Sequence, residues 1–448
     1  MEKVKISFGK KLLTAVLVFL TATMLLLASA YISGTQLSKS TSAINHQKLP
    51  DSTVKVGSIY GENTPIYEKD LLPASYAAIV FGGRGGGAYG SEAAAKSLFD
   101  FAAEPLHAAL SSEAKLSEIT KEDFISATYG DYLALNFYSA LPYQIVYALT
   151  GEYVAPLGSG TPINIDRVIL SFPTNTSVKV YVSDGEKYYL SDTPSNILAA
   201  EAYALAGDSR LNPFTVCENG VCVSGAPLML APVTLKNTVE LTPSSKEALY
   251  SLFGYEYAEN EGARSAHAVA PHGSMRLTST SLTFTASQDS GLALSNFLPE
   301  AKSALDIKIY DILLGGISLA ESVIASAPEA FLGIRFYPSG FYRDGDTYVL
   351  TLSALAENVT VGGTAYPHFA RISVQSGRIK SVNIRFLTAE KDNVQTSSFS
   401  SMWQYDHASD TAKIDSIFPA YRPSSLPAEG INAAWYFTGE KLTGGDMK

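Results

Sequence analysis

An uncharged apolar run near the N-terminus constrains this chain more than any other feature. The segment from Leu12 to Ile32 (LLTAVLVFLTATMLLLASAYI) holds 21 residues and no charged side chain. At ~1.5 Å per residue, a helix of this length crosses the hydrocarbon core of a bilayer, which is roughly 30 Å thick. The sequence therefore predicts a transmembrane helix, with residues 1–32 as a cytoplasmic N-terminus and anchor.

The charges in front of this run predict its orientation. Four lysines lie among the first eleven residues, and positively charged flanks favour the cytoplasmic side. We therefore expect a single-pass protein of the cell membrane with an extracytoplasmic body. A cleaved signal peptide is the alternative, because a cleavage site of the A-x-A type ends at Ala30. The apolar run exceeds the usual ~7–15 residues of a signal peptide, which favours the anchor.

Small and hydroxyl side chains lie within the predicted span. They are Thr14, Thr21, Thr23 and Ser29. Because such residues allow close approach between transmembrane helices, we expect them to contact a partner helix.

The composition beyond the anchor is that of a globular protein. Hydrophobic residues make up 46% of the chain and charged residues 17%, with a formal net charge of −10. An acidic body does not favour nucleic acid as a partner. Residues 33–70 are rich in Ser, Thr and Lys, and they are predicted to form a stalk.

Antiparallel strand patterns dominate the rest of the chain, with helical patterns between them. The predicted class is α+β, with three mixed, mainly antiparallel sheet-and-helix modules outside the membrane. We expect a first domain at 71–208, a middle domain at 209–305 and a C-terminal domain at 306–448.

Both cysteines lie in the short segment FTVCENGVCVSG. Asn219-Gly220 is typical of a two-residue hairpin turn, which would place Cys217 opposite Cys222. Opposed residues of this kind have closely spaced Cα atoms, compatible with a disulfide. The sequence therefore predicts a Cys217–Cys222 disulfide and an oxidising compartment.

A glycine-rich segment, IVFGGRGGGAYGSEAAAKSLFDF, begins at Ile79. It predicts a strand, a glycine-rich loop at 82–90 and a helix, an order that can hold nucleotide phosphates. Glu92 stands near the place where a phosphate loop has its lysine, and the segment is expected outside the cell. We therefore expect a flexible turn whose one charge, Arg84, contacts a protein partner.

No catalytic constellation, metal motif or cofactor-binding motif emerges elsewhere. His267 and His272 are close in sequence, but no H-E-x-x-H motif accompanies them. Several arginines fall on or beside predicted C-terminal strands, and they could line a ligand cleft or lie on solvated strand faces. They are Arg335, Arg343, Arg371, Arg378 and Arg385.

Three stretches resemble the YycH/YycI group of membrane-anchored regulatory proteins. They are AYPHFARISVQSGRIKSVNIRFLTAE (365–390), SMRLTSTSLTFTAS (274–287) and DYLALNFYSALPYQIVYAL (131–149). The first two are similar to the strand pairs that close that family's modules. The third lies in a first domain that YycH has and YycI lacks, so the chain is more similar to YycH.

The resemblance implies a non-enzymatic regulator of a two-component sensor histidine kinase in Gram-positive bacteria. It implies contacts with the kinase and with a YycI-like sister protein, and no cofactor. The alternative is an anchored cell-envelope protein that binds or hydrolyses a glycan or a peptide.

Overall fold

The computed structural model describes most of the chain from Ala74 to Lys441. The gaps are at 91, 112–114, 151–162, 192, 194, 217–221, 257–259, 263–264, 289, 299–302, 304–305, 363–367, 394–395 and 410–411. All the described residues belong to one compact unit, residues 52–448. Its class is α+β with mainly antiparallel sheets, as the strand patterns predicted.

Up to residue 252, runs of strands are separated by single helices. The strands are β1 (Ala74–Phe81), β2 (Arg84–Tyr89), β3 (Leu116–Ile119), β4 (Tyr132–Pro142), β5 (Asn164–Ser171), β6 (Ser177–Ser183), β7 (Tyr188–Ser191), β8 (Ser195–Asn196), β9 (Phe214–Val216), β10 (Cys222–Ser224), β11 (Pro227–Leu230) and β12 (Val233–Lys236). The helices are α1 (Ala93–Ala109), α2 (Lys121–Ser126), α3 (Tyr143–Thr150), α4 (Ala199–Ala206) and α5 (Pro243–Leu252).

Strands predominate in the remainder. They are β13 (Asn260–Gly262), β14 (Ser265–Ala270), β15 (Gly273–Thr278), β16 (Ser281–Ala286), β17 (Leu292–Ala293), β18 (Arg335–Asp344), β19 (Thr347–Ala356), β20 (Val359–Val361), β21 (Ala370–Gln375), β22 (Arg378–Arg385), β23 (Thr388–Lys391), β24 (Thr396–Ser400), β25 (Ala412–Tyr421), β26 (Ala428–Ile431) and β27 (Ala434–Lys441). The helices are α6 (Ile309–Ser326) and α7 (Ser401–Ser409), with 3-10 turns at Leu294–Phe297 and Pro328–Phe331.

The membrane anchor predicted at 12–32 lies outside the described residues. Among the helices that the structure describes, none combines the length and the apolar character needed to cross a bilayer. The anchor and the stalk at 33–70 remain predictions from the sequence.

The first sheet contains the strands of the predicted first domain. Its order is β2-β1-β4-β5-β6-β7-β3, with β8 beside β6 and every pair antiparallel. Helices α1, α3 and α4 cover one face around apolar side chains such as Leu98 and Leu133. The other face packs an aromatic cluster that includes Tyr76, Tyr89 and Tyr132.

The glycine-rich segment forms a β-hairpin, which corrects the loop predicted at 82–90. Gly82 and Gly83 make the turn with φ of +60° and +74°, values that suit a two-residue hairpin. Residues 84–89 then form strand β2, paired along its length with β1. The glycines are needed for close packing, since a Cβ on Gly87 would lie 2.2 Å from the Tyr76 hydroxyl oxygen.

The largest sheet is built from two similar halves. Helix α5 precedes the antiparallel strands β13 to β16, and helix α6 precedes the antiparallel strands β18, β19, β21 and β22. The last strands of the halves, β16 and β22, pair with each other in antiparallel fashion. This β16–β22 pair is here called the seam, and its antiparallel pairing makes the last strands of the two halves run in opposite directions.

The sheet therefore continues across the boundary predicted at 305. Its full order is β13-β14-β15-β16-β22-β21-β19-β20-β25-β27, with β17 on β22 and β18 on β19. Helices α5 and α6 lie on one face, where Leu282, Phe284 and Val382 belong to a single apolar core. Gly316 lets α6 approach the sheet closely, because a Cβ there would lie 2.9 Å from the Leu350 Cδ2 atom.

Candidate functional site

The face of the large sheet opposite helices α5 and α6 carries mainly polar side chains, with Val269 as an exposed apolar member. Strand alternation produces it, since Leu282 and Phe284 point into the core while Thr283 and Thr285 point away. Its residues form three rows across the strands, and we call them the open face. They are Ser265, Thr278, Ser281 and Arg385; His267, Arg276, Thr283, Asn383 and Arg371; and Val269, Ser274, Thr285, Ser381 and Ser373.

Two arginines of the open face occupy equivalent places in the two halves. Arg276 pairs across β15 and β16 with Thr283, and Arg371 pairs across β21 and β22 with Asn383. Thr283 and Asn383 face each other at the seam. Arg276 and Arg371 are thus three strand spacings apart, about 14 Å between Cα atoms.

Both arginines are available to a ligand. Arg276 and Arg371 are exposed, and neither forms an ion pair with any residue that the structure describes. The side chains of the three rows include no carboxylate. The open face is therefore cationic, although the whole chain has a net charge of −10.

A cavity of about 200 Å³ lies at one end of the seam. Its lining combines polar groups of the seam with apolar neighbours from adjoining loops. The lining residues are Asn237, Thr280, Ser281, Thr283, Phe369, Asn383, Arg385, Phe386 and Leu426. Hydroxyl, amide and guanidinium groups therefore converge on a space large enough for a single side chain or a small polar group.

His368 lies beside the arginine at the β21 end of the central row. Desolvation of the ring, together with the positive charge of Arg371, lowers the pKa of His368. Its Nδ1 atom is 3.5 Å from the Ser339 hydroxyl oxygen. At neutral pH the ring is uncharged, so Arg371 supplies the positive charge at this position.

The five arginines predicted near C-terminal strands separate into two groups. Arg371 and Arg385 lie on the open face. Arg343 instead pairs with Asp346 at 3.3 Å, and Arg378 donates to the Gly291 carbonyl oxygen at 3.2 Å. Arg335 lies at the start of β18, away from the three rows.

Arg276 was missed as a site residue, although a signal for it exists. The segment SMRLTSTSLTFTAS alternates polar and apolar residues, which places Arg276 and Thr283 on one face. Its proximity to Arg371 depends on the pairing of β16 with β22, and these strands lie about a hundred residues apart in sequence.

The predicted partner contact Arg84 lies on strand β2 of the first sheet. Its guanidinium carbon is 4.3 Å from the ring centroid of Tyr203, a cation–π contact that holds the side chain against the surface. Arg84 is exposed, so contact with a partner stays a prediction. The other predicted contacts, Thr14, Thr21, Thr23 and Ser29, lie outside the described residues.

The cysteine hairpin has a different register from the predicted one. Cys222 pairs with Val216, whereas a two-residue turn at Asn219-Gly220 would place it opposite Cys217. Cys222 is buried in the aromatic cluster with Tyr76, and this packing favours the observed register. No disulfide forms among the described residues; Cys217 lies outside them, so the Cys217–Cys222 bond remains a prediction.

The two histidines that are close in sequence, His267 and His272, lie in different environments. His267 lies on the open face, whereas the His272 Nε2 atom is 2.9 Å from the Phe253 carbonyl oxygen. Within the described part of the chain, no group of three or more His, Cys, Asp or Glu side chains is arranged to hold a metal ion.

The chain matches no family model, no curated protein and no solved structure. Its resemblance to the YycH/YycI group thus stays a prediction from the sequence, and the geometry of the open face is what informs its function.

Proposed function

We propose that the chain is a membrane-anchored, non-enzymatic regulator that modulates a sensor histidine kinase through protein–protein contacts. The body lies on the extracytoplasmic side, and its open face is the docking surface for the partner. The kinase and a YycI-like sister protein are the partners that the family resemblance suggests.

The observation that carries this proposal is the extent and shape of the open face. From β14 to β21 the rows cross five strands, about 19 Å at the usual spacing between strands. Small-molecule sites are usually concave and largely apolar, whereas this surface is mainly polar and the cavity at its edge has a volume of about 200 Å³. Its dimensions suit a segment of another protein.

The predicted anchor supports the same function. A protein held in the membrane meets a membrane partner at a raised effective concentration, so weak contacts suffice. Thr14, Thr21, Thr23 and Ser29 would add close helix–helix packing with the transmembrane helices of the kinase.

Photo-crosslinking of the full-length chain in membranes tests this proposal. A photoreactive residue at Thr285, which is exposed on the open face, should capture a sensor kinase. The same residue at Lys179, exposed on strand β6 of the first sheet, should capture little. Absence of any membrane kinase from the Thr285 products, together with unchanged kinase phosphorylation when the chain is deleted, would refute the proposal.

A glycan- or peptide-binding role is the second candidate, and the cavity at the seam favours it. Asn383, Thr283 and Arg385 present hydrogen-bonding groups there. This role predicts saturable binding of cell-wall fragments in calorimetric titrations of the full-length protein. Flat titrations would leave the regulator as the better proposal.

A further inference from the structure

We propose that the open face recognises an acidic protein segment, which lies across the seam with one carboxylate on Arg276 and another on Arg371. This inference rests on the proposed function in taking the partner to be a protein. It adds the chemistry by which that partner is selected.

The first observation is the distribution of charge. Arg276, Arg371 and Arg385 lie on one sheet face, and the side chains of the three rows include no carboxylate. The rest of the chain is strongly acidic, since the whole carries −10. A local cationic surface on an otherwise acidic protein attracts a complementary anionic partner.

The second observation is the kind of donor present. Both outer cations are arginines, whose planar guanidinium groups bind carboxylates through two parallel hydrogen bonds. Thr283 and Asn383 lie between them and offer a hydroxyl and an amide, which can bond to the backbone of a bound segment. No Phe, Tyr or Trp occurs in the three rows, so the surface lacks an aromatic platform for stacking a sugar ring.

The third observation is the spacing. Arg276 and Arg371 are about 14 Å apart across the strands. In an extended peptide, residues i and i+4 point to the same side and lie roughly 13–14 Å apart. An extended segment with Asp or Glu at i and i+4 can therefore engage both arginines while its middle residues cross the seam.

A defined peptide tests the inference without a known partner. The probe is a fluorescent peptide of Ser and Thr residues with Glu at positions i and i+4, and its control has Gln at both. Fluorescence anisotropy with the full-length protein in detergent should show saturable binding of the Glu peptide and at least tenfold weaker binding of the Gln peptide. Binding should weaken as salt is raised.

Arginine variants locate the binding. The double variant R276Q/R371Q should bind the Glu peptide at least tenfold more weakly than the wild type. R276K/R371K should show an intermediate affinity, because lysine keeps the positive charge but lacks the two parallel N–H donors of the guanidinium group. R343Q is the matched control, since Arg343 is exposed outside the three rows and should leave binding unchanged. Arg276 and Arg371 are exposed, so their replacement leaves the core intact.

The outcomes separate this inference from the proposed function. No binding of the Glu peptide, or equal binding by R276Q/R371Q and the wild type, overturns the inference even if a kinase is captured by crosslinking. Tight, arginine-dependent binding of inorganic polyphosphate without binding of the peptide also overturns it, in favour of a phosphate polymer. Arginine-dependent peptide binding supports the inference even if no kinase is captured, and the proposed kinase function alone then fails.

Discussion

A single buried residue, Glu321, makes the stability of this fold depend on pH. It lies on helix α6 with 3% of its surface exposed, and neither carboxylate oxygen has a hydrogen-bond partner among the described residues. Burial raises the pKa of Glu321 to about 8. The folded protein therefore holds a proton that the unfolded chain releases from about pH 4.5 upward, so this group makes the protein less stable as pH rises to about 8.

The variant E321Q should remove this pH dependence. At pH 8 we expect it to exceed the wild type in free energy of unfolding by on the order of 2–4 kcal/mol, because the amide has no proton to release. At pH 4.5 the two proteins should agree within about 1 kcal/mol, because the wild-type carboxyl is then protonated in the folded state and half protonated in the unfolded state. Urea unfolding at both pH values measures the difference, with E247Q as an exposed control on α5. An equal difference at both pH values would contradict the assignment.

At the scale of the element, local patterns predicted the type of structure better than its register. The strand YAAIVF was predicted and is found as part of β1, and the alternation in SMRLTSTSLTFTAS gave strands β15 and β16. The glycine-rich pattern at 82–90 predicts a flexible turn, because glycine is conformationally permissive. What makes residues 85–87 a strand is tertiary packing, since Tyr76 and Leu211 occupy the space that larger side chains would need.

The variant G87A tests that explanation of strand β2. Its added Cβ would lie 2.2 Å from the Tyr76 hydroxyl oxygen, so we expect a loss of about 1–3 kcal/mol in the free energy of unfolding. G130A is the matched control, because no atom lies within 4 Å of its added Cβ. Thermal or urea unfolding measures both. A G87A protein as stable as G130A would mean that β2 does not pack against Tyr76 as described.

At the scale of the molecule, the large sheet joins parts of the chain that the sequence suggested were separate. The strand patterns predict a boundary at 305. The pairing of β16 with β22 joins residues about a hundred positions apart, and no local sequence pattern reveals contacts at that distance. The open face shares this origin. Arg371 and Arg385 could be named from the sequence, whereas their proximity to Arg276 follows only from the pairing of β16 with β22.

Removal of a core side chain beside the seam tests the continuity of this sheet. Phe284 on β16 is 1% exposed and contacts the Phe253 ring at a centroid distance of 5.5 Å. Truncation in F284A should cost about 3–5 kcal/mol. Hydrogen exchange should then quicken in β14 to β16 and also in β21 and β22, whereas V180A in the first sheet should leave these strands protected. Faster exchange confined to residues before 305 would show that the halves are stable separately.

We propose that the partner docks on the open face, and crosslinking of the partner in native membranes tests this most directly. Full-length protein with the photoreactive residue at Thr285 is crosslinked in cells. The crosslinked products are then purified and identified by mass spectrometry. We predict a sensor histidine kinase crosslinked through an acidic extracytoplasmic segment, with yield reduced at least fivefold by R276Q/R371Q and unchanged by R343Q. A kinase captured equally well by the double variant, or captured only from positions outside the open face, would contradict the claim.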